Sequence, residues 1–299
     1  MQGLFDNVDY NGAVAREGKS KPSEDTFKPF EFTPFGLPED KKRRKQPKGY
    51  SIPKEPENDP LTIIPYKTNK KKIKLTPLME ANIIPRHASS VIFNGKSGSG
   101  KSNLMVNLMT RPQFYKGYFD LIFLFSPTAA SDDLPKYLNL PDKRIFSRFD
   151  AKVLDHIIDT QQTIIEKDGI VKSPKILLIF DDIISDPKFM RSKSFTKCFI
   201  QCRHLNISTF ILSQSWTKCP RVCRLQANNI FMFPSSASEV KLLCEEFCPP
   251  HTHQNDFKKI IEEATKGRHD FLHINMRCAP DRRFRHNLDT YLTCTSSTH

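Results

Sequence analysis

A glycine-rich run that ends in lysine and serine carries the clearest chemistry of the sequence. Gly95-Lys96-Ser97-Gly98-Ser99-Gly100-Lys101-Ser102 fits the pattern GxxxxGK[ST] at every fixed position. Glycines let backbone N–H groups converge on phosphate oxygens, and a helix that begins here directs its positive dipole end at them. We expect Lys101 to contact the β- and γ-phosphates of a nucleotide and Ser102 to ligate Mg²⁺. Lys96 could contact a phosphate or point to solvent, and we favour solvent.

Two adjacent acids follow a run of branched and aromatic residues. Lys175–Phe180 predicts a buried strand, and Asp181 and Asp182 come directly after it, as in a Walker B motif. A parallel strand delivers its last residues to the carboxyl edge of the sheet, where ligands bind. We expect Asp181 to hold Mg²⁺ through its water shell and Asp182 to orient or deprotonate the attacking water. The alternative is that the two acids only cap the following helix.

Polar residues beyond these motifs offer a sensor and a source of positive charge. Gln214 follows the predicted strand Ile207–Leu212, so it could report on the γ-phosphate or the attacking water, or simply lie in a turn. An arginine from a neighbouring subunit stabilises transition-state charge in ring-shaped ATPases. Arg203, Arg221 and Arg224 are candidates by position, and each could instead face solvent or DNA.

Composition limits the possible partners and compartments. The formal charge of +13 and the pI near 9.3 favour a polyanionic partner, of which nucleic acid is the obvious class. The apolar runs are far shorter than the roughly 20 residues that a membrane-spanning helix needs. The chain opens without an apolar signal segment, so we expect a soluble intracellular protein with no membrane span.

The cysteines favour a reduced protein over a metal centre. None of the eight belongs to the coupled CxxC knuckles of structural zinc sites. A single site formed by Cys248, His251 and His253 is an alternative, but thiols packed on helices are expected in an intracellular protein.

The first part of the chain differs in composition from the remainder. Residues 1–60 are rich in proline and poor in branched aliphatics, which predicts a disordered arm. The basic run Lys41–Lys45 with Lys48, and a second run at Lys70–Lys72, could bind phosphates, signal nuclear import or form a solvated linker. We assign residues 61–290 to an ATPase domain and 291–299 to a tail.

Strands and helices alternate from about residue 85. The predicted strands are Ser90–Asn94, Phe119–Phe125, Lys175–Phe180, Ile207–Leu212 and Asn229–Phe233, and the predicted helices are Lys101–Met109, Ala151–Glu166, Lys188–His204, Ala237–Glu246 and Asp256–Thr265. Asp270–Met276 and Arg282–Arg285 predict a C-terminal β-hairpin. This alternation indicates an α/β fold, with a mostly parallel sheet flanked by helices. A strand lies between the two nucleotide motifs in sequence, as in ATPases with an additional strand, and the missing NKxD guanine motif favours ATP.

An ordered set of motifs resembles one family. The set comprises Ile83-Ile84-Pro85 before the P-loop, Ile179-Phe180-Asp181-Asp182, Cys202-Arg203-His204-Leu205-Asn206-Ile207-Ser208, and Ser213-Gln214-Ser215-Trp216 followed by Pro220-Arg221. Over about residues 80 to 287, the chain resembles the poxvirus-type DNA-packaging ATPases of nucleocytoplasmic large DNA viruses, a branch of the FtsK–HerA superfamily. The spacing from the RHxNIS motif to the SQ pair is more specific than the P-loop.

The resemblance implies a fold, a site and partners. The implied fold is a P-loop NTPase core with strand order 5-1-4-3-2. Lys101 and Ser102 would be the Walker A pair, Asp181 the Walker B acid and Gln214 the sensor. Asp182 would be the catalytic acid, where many superfamily members have glutamate. Arg203 or Arg224 would be the trans-acting arginine.

The implied activity is ATP-driven movement of double-stranded DNA into a capsid by a homo-oligomeric ring, pentameric or hexameric. Capsid or portal proteins would be partners. The implied location is the virion or a viral factory in the host cytoplasm, or the host nucleus. Two alternatives stay open: an FtsK/HerA-like DNA pump or helicase without a capsid, and a nucleotide-switched scaffold with little turnover.

Overall fold

The structure is a computed structural model that describes residues 75–250 and 252–293. The predicted arm over residues 1–60, both lysine-rich runs, His251 and most of the predicted tail lie outside the described residues. The predicted domain boundaries therefore stay predictions.

One mixed sheet organises the described residues. Its nine strands are β1 (Ser90–Asn94), β2 (Leu121–Phe125), β3 (Ile145–Phe146), β4 (Ile176–Asp181), β5 (Ile207–Ser213), β6 (Asn229–Met232), β7 (Leu272–Asn275), β8 (Phe284–His286) and β9 (Thr290–Leu292). The strand order is β3-β2-β4-β5-β1-β6-β7-β8-β9. The strands from β3 to β6 in this order are parallel, and β7, β8 and β9 add antiparallel to the β6 edge.

The order 5-1-4-3-2 is confirmed for the five long parallel strands, which lie as β6-β1-β5-β4-β2. In space, the strand between the two motif-bearing strands β1 and β4 is β5. The strand that lies between them in sequence, β2, pairs with the far side of β4. The predicted C-terminal hairpin is present as β7 and β8, and β9 extends it.

Helices connect the strands and cover the sheet. They are α1 (Pro77–Glu80), α2 (Lys101–Thr110), α3 (Leu134–Tyr137), α4 (Ala151–Asp168), α5 (Pro187–Met190), α6 (Lys193–Ile200), α7 (Cys202–Leu205), α8 (Arg221–Gln226), α9 (Ala237–Phe247) and α10 (Gln254–Ala264). The single helix predicted over Lys188–His204 is instead three segments. Ser192 caps the N-terminus of α6 by accepting a hydrogen bond from the Phe195 N–H, so its backbone leaves the helical region there.

Both faces of the sheet are buried, which explains why the central strands are apolar at nearly every position. Met105 and Leu108 of α2 belong to the same buried cluster as Phe93 of β1. On the opposite face, the ring of Phe180 lies 5.2 Å from the ring of Phe195 of α6. None of the helices described is long and apolar enough to cross a membrane.

Register brings the chemically interesting residues to one edge. Asn94 of β1 pairs with Ser213 of β5, and Asp181 of β4 pairs with Leu212. Because these strands are parallel, their carboxyl ends meet at the same edge of the sheet. The glycine-rich loop, the acid pair and Gln214 follow those ends directly.

Candidate nucleotide-binding site

The glycine-rich loop is held against the sheet by close packing. The Gly95 N–H donates a hydrogen bond of 3.1 Å to the Ser213 carbonyl. A Cβ on Gly95 would lie 2.6 Å from Phe233 Cβ, so no larger residue fits without displacement. Gly100 has φ +110° immediately before α2, a conformation that side chains rarely adopt. The loop thus takes its shape from glycines at these two positions.

Lys101 is buried beneath the loop. Its Nζ donates hydrogen bonds to the carbonyl oxygens of Gly95 (2.7 Å) and Lys96 (2.9 Å). Burial lowers the pKa of Lys101, while the nearby charges of Asp181 and Asp182 oppose that shift. The acid pair therefore offsets part of the effect that burial has on the ammonium group.

Two further side chains of the loop bear on phosphate binding. The Ser99 hydroxyl is buried and has no hydrogen-bond partner among the described residues. A buried cation beside an unpartnered hydroxyl fits the oxygen-rich chemistry of a phosphate. The side chain of Lys96 is exposed, as expected for a lysine that faces solvent.

Asp181 is buried at the end of β4. Its Oδ2 accepts a hydrogen bond of 3.1 Å from the Ser126 hydroxyl. Burial raises the pKa of Asp181, and the Ser126 hydrogen bond and the Lys101 charge oppose that rise. Sequence reasoning missed Ser126, although a serine directly after the strand β2 was the available signal.

Asp182 has a left-handed backbone, with φ 51° and ψ 34°. Its Oδ1 accepts a hydrogen bond of 3.0 Å from the Gln214 side-chain amide. Aspartate tolerates the left-handed region better than most residues with a Cβ. The structure thus brings Lys101, Asp181, Asp182 and Gln214 to one edge and separates the partners of the two acids.

Arg224 does not fit the trans-acting role. It is buried, and its Nη2 lies 2.7 Å from Glu246 Oε1 within the same chain. The same guanidinium also donates to the carbonyl oxygens of Trp216 and Cys219. A side chain committed to these partners cannot reach a neighbouring subunit, so this expectation is corrected. Arg203 and Arg221 are exposed.

The RHxNIS motif lies at the opposite, amino edge of the sheet. His87 Nε2 lies 2.9 Å from Asn206 Oδ1, and His87 Nδ1 lies 2.8 Å from the Ser208 hydroxyl. The Asn206 amide donates to the carbonyl oxygens of Ser173 and Pro174. These side chains fasten the segment before β1 to the amino ends of β4 and β5. Asn206 and Ser208 are therefore structural residues, remote from the loop.

A cavity of about 320 Å³ adjoins the start of α2. Asn103 and Asn107 line it from α2, and Phe233 and Phe271 supply aromatic walls. His269 also lines it, and its Nδ1 lies 3.1 Å from the Ser99 carbonyl oxygen. The cavity is therefore continuous with the phosphate-binding loop and combines apolar faces with amides.

The cysteines from Cys198 to Cys278 are free thiols. Burial raises the pKa of Cys219 to about 12 and that of Cys244 to about 11, so these thiols stay protonated. No cluster of three or more metal-binding side chains occurs among the residues that the structure describes. The alternative metal site at Cys248 includes His251, which lies outside them.

The parallel core, the glycine-rich loop before α2 and the acid pair after β4 define a P-loop NTPase with an additional strand between its two nucleotide motifs. The family model of the poxvirus A32 protein matches residues 80–269, more than half of the chain. The chain belongs to the poxvirus A32 protein family, a family of packaging ATPases, which confirms the predicted resemblance, fold class, ATPase activity and packaging role.

Some solved structures resemble the chain distantly. The genome packaging NTPase B204 from Sulfolobus turreted icosahedral virus 2, in complex with AMP, is 14% identical with a TM-score of 0.47, over 63% of this chain and 93% of that chain. EssC ATPases 2 and 3 from Geobacillus thermodenitrificans are 17% identical with a TM-score of 0.40, over 52% of this chain and 34% of that chain. Likenesses this distant assign no ligand or partner here. No curated protein matches the chain.

Proposed function

We propose that this chain binds ATP with Mg²⁺ at the glycine-rich loop, hydrolyses it, and uses the energy to move double-stranded DNA into a capsid. The observation that carries the proposal is the hydrogen bond between Gln214 and Asp182 beside the buried Lys101. A phosphate-binding loop alone would suit a switch. A carboxylate held by a polar sensor on the adjacent strand suits hydrolysis.

Each residue has a role in this proposal. Lys101 stabilises the negative charge of the β- and γ-phosphates. Asp182 accepts a proton from the attacking water. The oxygen of that water bonds to the γ-phosphorus while the bond between the γ-phosphorus and the bridging oxygen of ADP breaks. Gln214 holds Asp182 and the water in line. The hydroxyl of Ser102 and the carboxylate of Asp181 would hold Mg²⁺, since hard oxygen ligands suit that ion. When bound, Mg²⁺ neutralises charge on the phosphate oxygens.

The cavity beside α2 would take the adenosine part of ATP. Phe233 and Phe271 offer aromatic surface for the base, and the side-chain amides of Asn103 and Asn107 offer hydrogen bonds to base or ribose. The cavity begins at Gly100, the last loop glycine before Lys101, so a nucleotide with its phosphates in the loop extends into it.

A homo-oligomeric ring, pentameric or hexameric, would complete the site. Of the two arginines that the family resemblance implies, Arg203 is exposed and Arg224 is buried, so we place Arg203 in trans. Capsid or portal proteins are the further partners that packaging requires. We place the protein in the virion or in viral factories of the host cytoplasm, where genomes enter capsids.

The test is steady-state ATP hydrolysis with and without long double-stranded DNA, over a series of salt concentrations. We expect DNA to stimulate turnover and the stimulation to fade as salt rises, because salt competes for phosphate contacts. Lys101→Ala should abolish hydrolysis, and Lys96→Ala is the matched control from the same loop. A wild-type protein that binds ATP but shows no turnover, with or without DNA, would be a nucleotide-switched scaffold.

A further inference from the structure

A second concavity lies at the same edge of the sheet as the nucleotide site. Its volume is about 530 Å³. One wall comes from the segment after β4 and includes Ile184, Pro187 and Arg191. The other wall comes from the segment after β5 and includes Thr217 and Lys218. We call this concavity the basic cleft.

Three exposed cations line the basic cleft. They are Arg191, Lys218 and Arg221, and none of the three has an ion pair among the described residues. The fourth cation of the lining, Arg224, is neutralised by Glu246. Among the described residues, no acidic side chain lines the cleft. The described lining of the cleft therefore carries net positive charge.

The remaining lining is mostly apolar. Ile184, Pro187, Met190 and Pro220 form this part of the surface. Unpaired cations around an apolar floor match the sugar–phosphate backbone of DNA, in which charged phosphates alternate with apolar deoxyribose faces.

Both walls continue directly into the catalytic side chains. Ile184 lies two residues after Asp182, and Thr217 lies three residues after Gln214. The Ser185 hydroxyl donates to the Asp182 carbonyl oxygen at 2.9 Å, which ties the first wall to the acid. Each wall is therefore contiguous in the chain with one member of the hydrogen bond between Asp182 and Gln214.

The second wall is anchored from behind. The Trp216 N–H donates to Glu239 Oε1 at 2.8 Å, and Arg224 donates to the carbonyl oxygens of Trp216 and Cys219. Trp216 is fully buried. Arg224 is therefore a positioning residue that holds the segment carrying Lys218.

We propose that the basic cleft binds backbone phosphates of double-stranded DNA and that this contact sets the position of Asp182 and Gln214. The proposal rests on the proposed function, because it names the surface through which DNA stimulates ATP hydrolysis. Phosphate contacts by Arg191 and Lys218 draw the two walls toward one strand of the duplex. The coupling is local, since each wall adjoins one member of the catalytic hydrogen bond.

The experiment compares the full chain with a double variant, Arg191→Gln with Lys218→Gln. The control is Lys116→Gln with Lys172→Gln, which removes the same charge from exposed sites near the amino ends of β2 and β4. Binding of double-stranded DNA is measured over a salt series, and ATP turnover is measured with and without DNA. Retention on immobilised polyglutamate tests an acidic protein partner.

We expect the double variant to keep wild-type turnover without DNA and to lose stimulation by DNA. The slope of log affinity against log salt should fall by about two, one for each phosphate contact removed. The control pair should keep both the stimulation and the stronger salt dependence. That combination supports the proposal.

Two other results overturn it. If the double variant and the control pair have the same DNA affinity, the same salt slope and the same stimulation, then DNA binds elsewhere. Selective loss of polyglutamate retention in that case assigns the cleft to an acidic protein. A wild-type protein that neither binds DNA nor responds to it instead overturns the proposed function itself, so the two failures are distinguishable.

Discussion

Gln214 donates its side-chain amide to Asp182 at 3.0 Å and so joins the tips of two adjacent parallel strands. The bond lies between residues 32 positions apart in sequence, and the parallel register of β4 and β5 brings them together. The partner acid, Asp181, is held from the other side by Ser126. The two neighbouring carboxylates thereby have different environments. Such a difference allows one acid to act as a metal ligand and the other to act on the attacking water.

Gln214→Ala should lower kcat about a hundredfold while leaving the KM for ATP nearly unchanged. The reason is that the amide orients Asp182 and the water, whereas the phosphates are held by the glycine-rich loop. Steady-state kinetics with ATP measure both parameters. Gln226→Ala, at an exposed glutamine, is the matched control. A rise in KM with unchanged kcat would assign Gln214 to nucleotide binding.

Asp182→Asn should retain ATP binding and lose turnover, because the amide cannot accept the proton. Asp182→Glu should recover only part of the activity, since a longer side chain at φ 51° shifts the carboxylate and fits the left-handed backbone less well. Binding is measured with a fluorescent ATP analogue and turnover by phosphate release. If Asp182→Asn no longer binds ATP with Mg²⁺, Asp182 is a metal ligand instead.

Arg203→Ala should fold normally and lose at least about a thousandfold in kcat, whereas Arg224→Ala should lose about 3–5 kcal/mol of stability. The first side chain is exposed and the second holds a buried ion pair. Kinetics and urea unfolding measure the two effects. Mixing Arg203→Ala subunits with Lys101→Ala subunits should restore part of the activity, because mixed interfaces regain one complete site. Absence of any recovery would mean that Arg203 does not act in trans.

His269→Ala should raise the KM for ATP several-fold with little change in kcat, because it loosens the nucleoside cavity and its contact with the Ser99 carbonyl oxygen. His253→Ala, at an exposed histidine away from the cavity, should leave KM unchanged. Equal KM values for wild type and His269→Ala, together with an unaltered preference for ATP over GTP, would remove the cavity from the nucleotide site.

The central strands could be predicted because burial on both faces leaves a continuous apolar run. The sequence-based strand Ser90–Asn94 has the bounds of β1, and Lys175–Phe180 differs from β4 by one residue at each end. The nucleotide motifs follow from local spacing, so Lys101, Asp181 and Gln214 could be placed at the carboxyl edge in advance. The five-strand order came from the family resemblance rather than from any local pattern.

What could not be predicted depends on contacts between distant segments. Arg224 looks like any basic residue of a short helix, and only its pairing with Glu246 shows that it is buried. Asn206 and Ser208 carried much of the family resemblance, yet their partner is His87, on a segment without periodicity. A specific motif spacing can thus mark residues that hold two segments together as well as residues that act in catalysis.

The stability of the protein should fall as the pH drops from about 6.5 toward 4, because His87 must stay neutral in the folded state. Burial lowers the pKa of His87 to about 4, although its hydrogen bond with Asn206 and the charge of Asp120 act in the opposite direction. Between those two values the unfolded chain binds more protons than the folded one, so stability rises with pH in this window. The full effect amounts to about 3 kcal/mol.

Urea unfolding at pH 7, 6, 5 and 4 measures this linkage. His87→Gln has no titratable ring, so its stability at pH 7 should be lower but its fall toward pH 4 should be shallower than that of the wild type. Other groups that titrate in this range are common to both proteins and cancel in the difference. His204→Gln, at an exposed histidine, should follow the wild-type curve. If stability falls with pH in parallel for wild type and His87→Gln, then His87 takes up its proton without loss of its hydrogen bonds to Asn206 and Ser208.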